Sequence, residues 1–372
     1  MQLQLDPGLV IVLLRETLAF LAIYGIYVLS LNLEAGYLGL PQFGKVMFLA
    51  LGGFAVGGIT TWTAMLAYEG VIAARLGFSP VADAMEYCRA YQYQAVAVIN
   101  EAFKSSLPEG LAFFAGSVVL AAVLAGAFGL LAAWPAIRLR EDYLGILLLV
   151  SAEIVRVVTV YTPQLACGVY GRVVPDPFAW MGDGRPWGYL AVLLAFLLLA
   201  FIVLERLCNS PFGRALRAIR DAETAAAAFG KDAARFRACV FVVASALSGI
   251  AGALLAFYMY YTNMGQFTPV LTFIAWAMLV VGGMGNNAGA LLGVAIYIAT
   301  DRLLTVFKES IVGAIVAATG AKIDPVYFQY MVFGIAIILI LIFRPQGLVG
   351  EKPARTLPRE TLERARKGLK FK

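Results

Sequence analysis

Histidine is absent from the 372 residues. Without an imidazole the chain has no Ser-His-Asp arrangement, no histidine proton shuttle and no histidine metal site. Charge is scarce: 14% of residues are charged, against about 25% in an ordinary soluble domain. No GxxxxGK[ST] run occurs, so the chain does not itself offer the loop that cradles ATP phosphates. The four cysteines, Cys88, Cys167, Cys208 and Cys239, lie far apart with no CxxC. That spacing argues against a disulfide framework or a zinc site and leaves them as structural or incidental thiols.

What is present in excess is apolar character. Hydrophobic residues make up 61% of the chain and the mean hydropathy is +0.82. A single water-soluble domain and a disordered chain are both excluded. The remaining class is an all-α polytopic membrane protein. A net charge of +6 would suggest nucleic acid for a soluble protein; here the placement of the charges matters more, and no nucleic-acid partner is expected.

Nine segments have the length and apolarity of candidate spans: Leu9–Leu31, Val46–Tyr68, Leu111–Trp134, Tyr143–Tyr161, Gly188–Leu207, Ala238–Tyr261, Leu271–Met284, Gly289–Val306 and Phe328–Phe343. The seventh is short and runs into Gly-Gly-Met-Gly-Asn-Asn at 282–287, so the seventh and eighth read as two short helices joined by a turn. The first segment contains Arg15 and Glu16 and no basic region precedes it, which predicts a retained helix rather than a cleaved signal peptide. With the N-terminus outside, and with Arg206 at the inner end of its span counted with the adjoining gap, inner gaps hold 19 Lys and Arg residues and outer gaps 7, while Arg15, Arg156 and Arg302 fall inside spans. The excess of basic residues predicts a cytoplasmic C-terminus.

The expected organisation is a transmembrane domain over 1–343, with an outer loop at 69–110, an inner loop at 208–237 and a basic tail at 344–372. The outer loop mixes Glu69, Arg75, Asp83, Glu86, Arg89, Glu101, Lys104 and Glu109 with Tyr87, Tyr91 and Tyr93. It suits a transient polar interface, or a helix around Val81–Phe103 lying on the membrane. The tail is either a solvated flap or a segment drawn to anionic lipid headgroups.

The inner loop carries the densest local signals. Ser210 is a natural N-cap and Pro211 falls at the first helical position. Arg214, Arg217 and Arg220 recur every three residues as a basic stripe. A second short helix, Glu223–Phe229, ends at Gly230, a plausible C-cap. Two capped helices between spans are either a topological anchor or a docking element.

Several stretches, in order along the chain, carry a family resemblance: LNLEAGYLGLPQFGKVMFLALGGF, RLREDYLGILLLVSAEIVRVV, SPFGRALRAIRDAETAAAAFG, VVGGMGNNAGALLGVAI and FRPQGLVG. They resemble the LivM family, the permease subunits of branched-chain amino acid ABC importers, although Lys45 stands where that family usually has histidine. The resemblance implies that this chain is not an enzyme and binds no cofactor, and that ATP is used by separate cytoplasmic ATP-binding subunits. It further implies a LivH-like second permease, an extracytoplasmic substrate-binding protein, and a location in the plasma membrane of a prokaryote. The coupling contacts would fall on Phe212, Gly213, Arg214, Arg217, Arg220, Asp221, Glu223 and Gly230.

Glycine-interrupted segments at 36–58 and 282–293 point either to a translocation pathway or to close helix packing. Gln42, Gly44, Lys45, Asn286 and Asn287 are the pathway candidates there. Glu153 and Arg156, three residues apart on one span, can pair, and Glu153 matches a family position, which adds both residues as pathway candidates. The family cargo is leucine, isoleucine or valine, with urea or a small amide as the alternative. An ion-driven carrier or an intramembrane enzyme is the reading from a different class.

Overall fold

The computed structural model describes residues 7–79, 84–139, 141–319, 331, 334–335, 338–339, 342–344 and 346–351. Among these the chain is almost wholly helical. The first span is α1, Pro7–Leu31, which continues as a π-helical turn over Asn32–Tyr37. A buried irregular stretch leads to α2, Lys45–Phe54, and a second π-helical turn, Ala55–Thr60, joins it to α3, Thr61–Ala67. Three helices then form a cap: α4, Glu69–Leu76; α5, Ala84–Glu86; and α6, Gln92–Ser105. The next spans are α7, Leu107–Arg138, and α8, Glu141–Tyr161, followed by the short α9, Pro163–Ala166.

A long helix, α10, Arg185–Asn209, leads into the paired short helices α11, Pro211–Asp221, and α12, Glu223–Ala228. The chain returns through α13, Ala233–Met259, then α14, Pro269–Gly282, and α15, Asn287–Thr319. One two-residue antiparallel ladder, β1 Arg172–Val173 with β2 Tyr261–Thr262, ties two loops together. Among the described residues, seven helices are long and apolar enough to cross a membrane, and α14 is a shorter apolar helix. These eight helices correspond to the first eight of the nine expected segments, and the count of nine is not confirmed. The eighth segment is also not short, because α15 runs 33 residues. Most of the ninth candidate, Phe328–Phe343, and of the tail lies outside the described residues.

The core is built around α13, which packs on α7 and α2. Small residues allow the approach: a Cβ on Gly52 would overlap the Gly249 carbonyl, and one on Gly252 the Leu49 carbonyl. Close packing is therefore what these glycines of α2 and α13 supply. At the π-helical turn of residues 55–60, Arg172 reaches in from the loop and donates to the carbonyls of Gly57 (3.2 Å) and Gly58 (2.9 Å). Arg172 is buried and stacks near Trp62. Burial lowers its pKa below the ordinary guanidinium value.

The two ends of the bundle differ. At one end the cap helices bury Met65, Ile72, Tyr87, Val96, Ile99 and Phe103 in a small core of their own. Contrary to the expectation from cysteine spacing, Cys88 and Cys167 form a disulfide there, closing a separation of 79 residues. Gln92 reinforces the join, accepting from Val173 N at 2.8 Å and donating to the Gly171 carbonyl at 3.1 Å. Helix α6 turns Ala95, Val96, Ile99 and Phe103 into protein, while Tyr93 stays 73% exposed; residues 81–83, where the expected Val81–Phe103 helix would begin, lie outside the described residues. The other end carries α11, α12, the Gly283–Asn286 turn and residues 346–351.

Candidate translocation pathway and coupling surface

Ser210 caps α11 as its sequence predicts, its Oγ accepting from Phe212 N at 3.1 Å. Pro211 occupies the first helical position. Gly230, at φ +73°, ends α12: its amide bonds to the Ala227 carbonyl at 2.9 Å and Lys231 N to the Ala226 carbonyl at 3.0 Å. That double closure is the helix stop that favours glycine.

The basic stripe splits. Arg214 is exposed. Arg217 turns back, donating to the Cys208 carbonyl at 3.0 Å and lying 5.4 Å from the Tyr37 ring centroid. Arg220 donates to the Gly36 carbonyl at 2.6 Å and pairs with Asp221 and Glu351. Although burial works to lower it, the Glu351 and Asp221 carboxylates raise the Arg220 pKa above its ordinary value. Gly213 is buried, and a Cβ there would overlap the Cys208 carbonyl. Phe212 packs on Phe236, ring centroids 5.2 Å apart. The outward surface of the loop is thus Arg214, Asp221, Glu223 and Gly230, with Phe229 at 84% exposure. Sequence reasoning passed over Phe229 within an alanine run. Glu223 pairs with Arg237 at 2.8 Å.

The buried polar residues of the helical bundle include two clusters. In the first, Lys45 Nζ donates to Glu34 Oε2 at 2.7 Å, and both side chains are fully buried. Lys45 also donates to the Ala244 carbonyl at 3.2 Å, and Gln42 Nε2 lies 3.5 Å from Glu34 Oε1. Glu34 was not among the sequence candidates; an acidic residue in the short glycine-rich gap between the first two predicted spans, 11 residues before a lysine, was the available signal. Gly44 sits where a Cβ would meet the Leu148 carbonyl of α8.

In the second cluster, Asn287 accepts from Asn32 Nδ2 at 2.9 Å and donates to Glu205 Oε2 at 3.0 Å. Asn32 Oδ1 accepts from Gly285 N at 2.9 Å. Asn286 caps α15 through Ala288 N at 3.1 Å and donates to the Gly350 carbonyl at 3.0 Å. Residues 348 and 349 donate their amides to the Val281 and Gly282 carbonyls, both at 3.0 Å. The C-terminal strap is thereby fastened across the turn. Glu153 and Arg156 do pair on α8, with Arg156 Nε 2.9 Å from Glu153 Oε2. They stand apart from both clusters and are half-buried.

Each end opens a cavity. At the cap end, one of about 780 Å³ is lined by Asn100, Glu101, Lys104, Asp176, Arg185 and Tyr260. Within it Arg185 Nε donates to Asp176 Oδ2 at 2.7 Å and the guanidinium stacks 3.7 Å from the Tyr260 ring centroid. Burial pushes the Tyr260 pKa up to about 12. At the opposite end, a cavity of about 530 Å³ is lined by Ala35, Gly36, Arg220, Met284, Gln346 and Glu351.

Comparison with known proteins follows this architecture. Residues 13–341 match the family described as branched-chain amino acid transport system / permease component. A probable branched-chain amino acid transport permease protein LivM of Methanocaldococcus jannaschii is 36% identical over 93% of this chain and 96% of its own length. The high-affinity branched-chain amino acid transport system permease protein LivM of Escherichia coli is 27% identical over 64% of this chain and 58% of its own length. A probable permease protein LivH of Methanocaldococcus jannaschii is 29% identical over 44% of this chain and 48% of its own. No solved structure matches. A helical polytopic chain that matches this family over nearly its full length is a member of the LivM family of branched-chain amino acid transport permeases.

Proposed function

We propose that this chain is one of two permease subunits of an ABC importer that moves leucine, isoleucine or valine into a prokaryotic cell across its plasma membrane. The observation that carries the reading is the capped α11–α12 pair, anchored inward by Arg217 and Arg220 and presenting Phe229 outward. A rigidly seated loop with a bare aromatic tip suits a groove on a separate ATP-binding subunit. This chain binds no cofactor and catalyses no reaction; ATP is consumed by those subunits. A LivH-like subunit completes the pathway.

The disulfide supports the orientation. Disulfides persist in oxidising compartments, so the cap end faces outward and the α11–α12 end and the C-terminus face the cytoplasm, in agreement with the placement of Lys and Arg. The disulfide-stapled cap is then the landing surface for a loaded extracytoplasmic binding protein. Urea or a small amide is the alternative cargo; an amino acid is favoured by the relatives' names. An ion-driven carrier would need a free carboxylate relay, whereas Glu34 is held by Lys45.

The test is Phe229→Ala in the assembled transporter. Loss of an anchor of this kind costs about 2 kcal/mol or more of docking. Co-purification of the ATP-binding subunits should fall while the yield of the membrane subunits holds. Unchanged co-purification and unchanged leucine uptake would refute the docking reading.

A further inference from the structure

We propose that Glu34 and Lys45 form the charge-recognition site for a zwitterionic α-amino acid: Glu34 takes its ammonium and Lys45 its carboxylate. This deepens the transport reading above and rests on it.

Both side chains are completely buried, and burying two charges is expensive even when they are paired. Apolar residues of similar volume would serve stability as well or better, so packing alone does not account for the charges. Ionisable groups at membrane depth mark transport pathways. Ala244, which accepts from Lys45, lies 11 residues into α13 (244 − 233), about 16 Å along the helix.

A zwitterion carries opposite charges on neighbouring groups. Entering between Glu34 and Lys45, it exchanges one internal ion pair for two, and no charge is left unpaired. An aromatic face adjoins the pair: the Phe48 ring centroid lies 5.8 Å from Lys45 Nζ. The backbone is discontinuous here, with a π-helical turn over Asn32–Tyr37 and irregular chain up to Gly44. Transporter sites are built at such interruptions. A cavity also lies beside the site. Ala35 and Gly36, next to Glu34, line the 530 Å³ cavity at the α11 end, and Arg220 of α11 holds the Gly36 carbonyl.

The experiment uses the complete transporter in proteoliposomes with its loaded binding protein. The paired variant Glu34→Leu with Lys45→Met should assemble and keep binding-protein-stimulated ATP hydrolysis. Its leucine uptake should fall at least about tenfold, as loss of two charge-assisted contacts demands. Uptake at the wild-type rate would overturn the proposal. A second measurement needs no variant. Dicyclohexylcarbodiimide should modify Glu34 of the wild type during turnover, read by peptide mass spectrometry. L-Leucine should slow that modification; 4-methylpentanoate and isoamylamine, each with a single charge, should not. Modification indifferent to leucine overturns the proposal. A wild-type complex that takes up no branched-chain amino acid would instead refute the transport reading itself.

Discussion

Arg220 on α11 and Gly36 on the π-helical turn after α1 are 184 residues apart in sequence and joined by a 2.6 Å hydrogen bond. The bond connects the loop proposed to meet the ATP-binding subunits with the backbone that carries Glu34. A displacement of α11 is therefore felt two residues from the buried ion pair.

Arg220→Gln should loosen that connection. Leucine uptake per ATP hydrolysed should drop about five- to tenfold, the effect of losing ~1–1.4 kcal/mol of coupling. Paired measurements of uptake and phosphate release check it; an unchanged ratio would show that the bond only stabilises the loop.

Glu223→Arg should uncouple transport, but the Glu223–Arg237 pair offers a second cause. The exchange Glu223→Arg with Arg237→Glu restores the internal pair while keeping the altered outward charge. Uptake should stay low in the double variant. Recovery to wild-type uptake would place the effect inside the loop rather than at a partner.

Cys88→Ser with Cys167→Ser should weaken the cap. A disulfide closing a loop of this size contributes about 2–4 kcal/mol. The variant should be cleaved in the cap by external protease more readily than the wild type, and its uptake from the binding protein should be reduced. An impermeant maleimide should label Tyr93→Cys from outside in whole cells; labelling from inside alone would reverse the proposed orientation.

Glu153 and Arg156 should be mutually dependent. In contacting residues the coupling is about 0.5–3 kcal/mol, so Glu153→Gln should lower the yield of folded protein more than the double change with Arg156→Gln. Strict additivity in thermal unfolding would show the pair to be inert.

Much of the fold could be read along the chain because hydropathy and capping are local. A span declares itself by a run of apolar residues, and the ends of α11 and α12 by Ser210, Pro211 and Gly230 acting within a few residues. The seventh segment looked short and is short in the structure. The eighth was placed correctly at its start, but its length was not, because Lys308 and Glu309, just past Val306, lower the hydropathy without breaking the helix. The inward turn of Arg217 and Arg220 was not legible either. A three-residue repeat puts arginines on one side of a helix, but it does not say what that side faces.

Sequence by itself determined the class of protein, the positions of most spans, the paired-helix loop and its caps, since each depends on neighbours in the chain. Tertiary structure decided which distant groups meet: Cys88 with Cys167, Glu34 with Lys45 across an irregular turn, and Asn32 with Asn287 and Glu205. The physical reason is burial. A charge or amide at membrane depth must find a partner, and the helices that pack beside it, rather than its sequence neighbours, supply that partner.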